Sequence, residues 1–231
     1  MNKRMLRRLL HIALMLMLLT SCGHRSQKMN DALLRAEEMN RNYQSMDTLK
    51  GMEQVADYYR PFFGHSHRYT RALYMLGCVH RDRGDAPMAL HYYQEAVSQA
   101  DTTDADCDFH TLCRVYGQMA VIYQQQRSPQ LEMEAERKAY TAAMKAKDTL
   151  AAISYYEYMA GAYYTLGKKD SALAIVENSI SQYTKMKEHR SAAAEMGVAA
   201  DFFIKKKISS MPIAFSSNTK HTLDSSIKRE K

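Results

Sequence analysis

From Thr70 to Asp101 the apolar and small positions recur every three to four residues, the period of a helix with one buried face. Two amphipathic helices are predicted there, joined by a turn at Gly84-Asp85. Small residues fall where two helices must cross closely, at Gly77, Ala89 and Ala96, and larger ones surround them at Leu73, Leu76, His80 and Tyr93. Gly84 reads as the helix stop, Asp85 as the next N-cap, and Pro87 is tolerated in a first turn. A second pair opens near Phe109, with Tyr116, Met119, Ala120 and Tyr123 on its key positions and Ser128-Pro129 starting its second helix. A third pair carries Tyr156, Met159, Ala160, Tyr163, Gly167, Ala172, Val176 and Ser179 at the spacing of the first. Ser191 to Lys207 reads as half of a fourth pair, through Met196, Ala199, Ala200 and Phe203.

The flanks are less regular. Two helices are predicted from Asn30 to Ser45 and from Asp47 to Phe63, with a stripe of Leu33, Leu34, Met39, Tyr43, Met52, Val55, Ala56 and Tyr59. Residues 23–29 are polar and read as a tether. Residues 208–231 are rich in Ser and Lys without a helical period, an irregular tail or the mark of a truncation near Lys207. Helix formers are abundant, while glycine (9) and proline (4) are scarce, so the chain is predicted to be all-α.

The spacing around Gly77 resembles the tetratricopeptide repeat, whose pattern is a large residue, Leu-Gly, Tyr, then Ala-x3-Phe-x2-Ala. The resemblance implies a right-handed α-solenoid of antiparallel helix pairs, three to four repeats over residues 30–207. The steps from Gly77 to Ala120 and on to Ala160 are 43 and 40 residues, longer than the usual span of about 34. From Gly77 to Tyr93 is 16 residues, whereas from Ala120 to Tyr140 is 20, so the second repeat is expected to carry an extra turn.

In that family the first helix of each repeat lines a groove. Carried onto this chain, the implied contact positions are Arg71, Tyr74, Cys78, Arg81 and Asp82 in the first clear repeat. The second supplies Arg114, Gly117, Val121, Gln124 and Gln125, and the third Ser154, Glu157, Gly161, Tyr164 and Thr165. The Lys and Asn of the family's carboxylate clamp are missing. Three arginines and two tyrosines remain to hold a peptide through charge-assisted bonds and stacking.

Residues 1–8 are positively charged, an apolar run follows from Leu9 to Leu19, and Leu19-Thr20-Ser21-Cys22 comes at once. The run is too short to span a bilayer but suits a signal peptide. Together they resemble a bacterial lipoprotein leader over residues 1–21, which implies cleavage before Cys22, acylation of Cys22, and residues 22–29 as a lipidated tether. Like lipoproteins of Bacteroides-type bacteria lacking acidic residues after the cysteine, the chain is expected to face the periplasm from the outer membrane. Removing Lys3, Arg4, Arg7 and Arg8 lowers the formal charge from +7 to +3, too mild to argue for nucleic acid.

No catalytic or phosphate-binding motif is present, so neither an enzyme, nor a cofactor, nor a small-molecule substrate is expected. His65 and His67 lack a third ligand nearby in sequence and read as loop residues rather than a metal site. Cys107 and Cys113 are spaced to close a small loop, or to remain free thiols beside Cys78. Asp47-Thr48, Asp101-Thr102, Asp148-Thr149 and Asp170-Ser171 resemble a periplasmic O-glycosylation acceptor, and N-capping by Asp explains most of them equally well. Two functions follow: a scaffold binding proteins or peptides at the envelope, or the sensory half of a signalling protein whose output segment is lost.

Overall fold

A computed structural model describes residues 24–61, 65–104, 106–188 and 191. The residues read as a leader, Cys22, those read as half of a fourth repeat after Ser191, and residues 208–231 lie outside the described residues. Among those described, all regular structure is helical. Helix α1 covers 24–41. It is followed by α2 (Met52–Tyr59), α3 (His67–Asp82), α4 (Ala86–Ser98), α5 (Phe109–Gln125), α6 (Pro129–Lys145), α7 (Thr149–Thr165) and α8 (Lys169–Lys185). No described helix is long and apolar enough to cross a membrane. The chain divides into two compact units, Met1–Cys107 and Asp108–Lys231.

In the second unit each helix packs on the next in sequence. Helices α5 to α8 are all 17 residues long. Three-residue links join them, so helices start at 109, 129, 149 and 169. The middle residue of each link is left-handed: Arg127 (φ 56°), Lys147 (59°) and Gly167 (77°), with Lys187 (63°) following α8. The next amide then reaches back into the last turn, Ser128 N to Tyr123 O (2.9 Å), Asp148 N to Ala143 O (3.0 Å) and Lys168 N to Tyr163 O (2.9 Å). This is the Schellman arrangement, which satisfies carbonyls that a helix end leaves orphaned. The closing residue also starts the next helix, and Asp148 caps α7 by accepting from Ala151 N at 3.0 Å.

The first unit uses the same device at Gly84 (φ 77°), where Asp85 N bonds His80 O at 2.9 Å. Asp85 then caps α4 through Met88 N at 3.2 Å. Leu73, Leu76, Ala89, Tyr93 and Ala96 are all buried between α3 and α4. Gly77 is required by that crossing, because a Cβ there would sit 2.3 Å from the Tyr93 ring. In the second unit Ala120, Ala160 and Ala172 are buried, while Tyr116, Tyr123, Tyr156 and Tyr163 are half-buried.

Four expectations are corrected. Residues 24–29, read as tether, are already helical, and Met29 at their end is buried. The second predicted helix begins at Met52 rather than Asp47, because residues 42–51 form a loop pinned to the end of α3. Met46 N donates to Asp82 Oδ2 (2.9 Å), and Arg83 donates to the carbonyls of Asp47 (2.9 Å) and Leu49 (2.8 Å). Tyr43, placed in the apolar stripe, is 98% exposed and left-handed, at the turn ending α1. Finally, the second repeat carries no extra turn, since α5 and α6 match α7 and α8 in length and linkage. Sixteen residues after the small position stand Tyr93, Glu136 and Val176 in the three repeats, and Tyr140 lies outside that register.

Candidate functional site

In the first unit the implied contact positions are engaged inside the fold. Tyr74 is buried, its hydroxyl accepting from Asn40 Nδ2 at 3.3 Å and its ring 6.1 Å from that of Tyr93. Arg71 makes a two-pronged pair with Glu37 on α1, Nε to Oε1 at 2.7 Å. Arg81 is held by Asp82 at 2.7 Å, and Asp82 in turn holds the 42–51 loop. Cys78 is buried and accepts from the Tyr93 hydroxyl at 3.5 Å. Burial pushes the titrations of both Cys78 and Tyr93 upward, which keeps thiol and phenol neutral. These residues bind α1 and its following loop to α3.

The second unit is arranged differently. Arg114, Val121, Gln124 and Gln125 are exposed along α5, and Gly161 and Thr165 along α7. The two helices are neighbours on this face: a Cβ on Gly161 would lie 4.0 Å from Gln124 Nε2. Gly117, also implied as a contact, is buried instead, because the ring of Tyr155 comes within 2.6 Å of its Cβ position. Glu157 is half-buried and accepts from the Tyr183 hydroxyl at 2.9 Å, while Ser154 lies 3.1 Å from the same hydroxyl. Tyr164 packs against the cluster of Met159, Ala160, Ala172 and Val176, with the Lys169 ammonium 5.6 Å from its ring centre.

Two residues that sequence reasoning passed over lie beneath this face. Glu132 and Glu136 sit one turn apart on α6, each 5% exposed. Glu132 Oε1 accepts from Gln124 Nε2 at 3.1 Å and lies 3.8 Å from the Cβ position of Gly161. Glu136 Oε2 is buried with no hydrogen-bond partner. Burial first, and the neighbouring Glu132 second, push the Glu136 titration up to about 8. Burial also raises that of Glu132. The available signal was arithmetic: twelve and sixteen residues after the small position, the first and third repeats place Ala89, Tyr93 and Ala172, Val176, where the second has these two acids.

Elsewhere the chemistry is sparse. No group of three or more metal-ligating side chains converges among the described residues. His65 Nδ1 lies 2.9 Å from Gln99 O. No disulfide joins Cys107 and Cys113, and burial drives the titration of Cys113 up to about 11. Thr48, Thr102, Thr149 and Ser171 are exposed, and of the preceding aspartates Asp148 serves as an N-cap.

No family model matches the sequence, and neither does any curated protein. Solved structures do resemble it. A crystal structure of nearly identical TPR-like repeats of the kinesin light chain type from Podosopora anserina has a TM-score of 0.66 and 14% identity, covering 86% of this chain and 96% of that one. Its Q17M form gives a TM-score of 0.67 over 87% and 97%, again at 14% identity. BtubC (BKLC) from P. vanneervenii has a TM-score of 0.53 and 13% identity, over 86% and 89%. At such identities the likeness is one of fold: the chain is an all-α protein of TPR-like repeats.

Proposed function

We propose that the chain is a non-catalytic scaffold that binds a protein or peptide and is held at the bacterial envelope, on the periplasmic face of the outer membrane, by lipid on Cys22. The observation supporting the binding half is the α5–α7 face of the second unit. There Arg114, Gln124 and Gln125 stand exposed beside Val121 and the bare backbone of Gly161. Side-chain amides and a guanidinium can bond the main chain of an extended segment, and a glycine lets that segment approach closely. In the first unit Arg71, Tyr74 and Arg81 are half-buried or buried and bonded within the fold, whereas Arg114, Val121 and Gln125 of the second are exposed, so recognition falls to the second.

Panning a random dodecapeptide library against the full chain tests this reading. Selected peptides should lose at least about tenfold in affinity on combining Arg114→Glu and Gln125→Ala, with the helical circular dichroism unchanged because both side chains are exposed. Failure to select any peptide, or equal affinity for the variant, overturns it.

A further inference from the structure

The second repeat breaks the rule that the other two obey. Where Ala89 and Tyr93, or Ala172 and Val176, fill the crossing of the paired helices, α6 places Glu132 and Glu136. Two acids four residues apart on one buried helix face repel one another and give up their hydration. The surroundings supply little in return. Glu132 receives one bond, from the Gln124 amide, and Glu136 Oε2 receives none. The titratable groups facing Glu136 are Glu132 on its own helix and Tyr155 on α7, with Cys113 and Arg114 of α5 reaching it through Tyr155. Tyr155 and Cys113 are both held neutral by burial, and Arg114, whose charge acts on both of them, is exposed. No cation of the described residues pairs with either carboxyl.

The roof over Glu132 is thin. Glu132 Oε1 lies under Gly161, an exposed position with no side chain, and beside the exposed Gln124. Other glycines of the described helices are closed off, Gly77 by Tyr93 and Gly117 by Tyr155. Gly161 alone among these three opens onto a carboxylate.

We propose that Glu132 and Glu136 form a recessed slot, entered between Gly161 and Gln124, that takes a lysine or arginine side chain of the bound peptide. This deepens the peptide-binding reading and rests on it. A long aliphatic stem passes the Gly161 backbone while its charged head reaches the two acids, which is how such side chains divide between apolar and polar surroundings. On entry the Glu136 carboxyl releases its proton to solvent, and the resulting carboxylate pairs with the ammonium or guanidinium, so binding exchanges one proton for one cationic side chain. Affinity for such a peptide therefore rises with pH until Glu136 is ionised in the free protein.

The dodecapeptide selection separates this inference from the reading beneath it. Peptides selected at pH 7.5 should carry Lys or Arg at one fixed position, and replacing that residue by norleucine should weaken binding at least about tenfold. Glu136→Gln, which keeps the shape and removes the charge, should cause a similar loss. Calorimetry in two buffers of different ionisation enthalpy should show proton release with the native chain and none with Glu136→Gln. Gly161→Met plugs the entrance and suits a helix better than glycine, since its Cβ meets only ordinary contacts at 3.8 and 4.0 Å. It should abolish the preference for a basic residue while the fold is retained. Peptides that bind without any basic position, or whose basic position is indifferent to both substitutions, overturn the slot and leave the scaffold standing. An empty selection overturns both.

Discussion

Glu136 keeps its proton in the folded chain at a pH where an ordinary glutamate has lost it. Its titration lies near 8 against an ordinary 4.5, with burial as the main cause. A raised carboxyl makes the folded state bind a proton that the unfolded chain releases. Its contribution to stability is complete below about pH 4.5, shrinks as pH rises towards 8 and is constant above, with a slope of at most about 1.4 kcal/mol per pH unit. Glu136→Gln should flatten that slope, so its Tm should exceed that of the native chain at pH 8 by more than at pH 5. Equal pH dependence in the two proteins would show that Glu136 ionises freely in the fold. The same residue explains where the register was hidden. Reading the sequence for an aromatic partner to Ala120 leads to Tyr140 and an extra turn. The chain instead places a glutamate in the aromatic's position, and Tyr140 meets Tyr156 at 5.9 Å between ring centres. A hydrophobicity pattern has no means of marking a buried acid.

At the scale of the helix and its link, the second unit is built on one turn used repeatedly. Gly84 and Gly167 announce this turn in the sequence, because only glycine takes a left-handed φ without steric cost. Arg127 and Lys147 occupy the same conformation silently, at φ 56° and 59°. Each carries a penalty of about 1 kcal/mol that glycine would not. Arg127→Gly and Lys147→Gly together should therefore raise the unfolding free energy by roughly 1–2 kcal/mol, offset in part by the greater freedom of glycine in the unfolded chain. Urea unfolding measures it, and a lower midpoint for the double variant would remove the strain argument. Helices α3 and α4 are legible because small residues, cap and stop agree there, through Gly77, Ala89, Asp85 and Gly84. The start of the chain is harder to read. Tyr43 and Leu49 extend an apolar period through residues 42–51, although the backbone there is a loop held by Asp82 and Arg83. Those two tethers come from residues more than thirty positions away, beyond the reach of local periodicity.

For the whole molecule, the two units treat differently the groove positions that the repeat pattern implies alike in each repeat. In the first, Arg71 and Tyr74 bond to α1 and Arg81 to its neighbour Asp82, whereas in the second Arg114, Val121 and Gln125 of α5 and Gly161 and Thr165 of α7 are exposed. The proposed peptide-binding face would act where it is displayed, and the proposed lipid anchor at Cys22 is the part of the chain that bears on this. Two or more acyl chains at a single residue hold far more firmly than one, which binds membranes only marginally. If the thiol of Cys22 is the anchor, cells fed an alkyne-bearing palmitate should label the native protein, which should sediment with membranes and leave them only in detergent. Cys22→Ser removes the acceptor, so label should be lost and the protein should move to the soluble fraction or remain uncleaved. Label that persists in Cys22→Ser, or a native protein that is soluble without detergent, would detach the chain from the envelope and leave its binding face to act elsewhere.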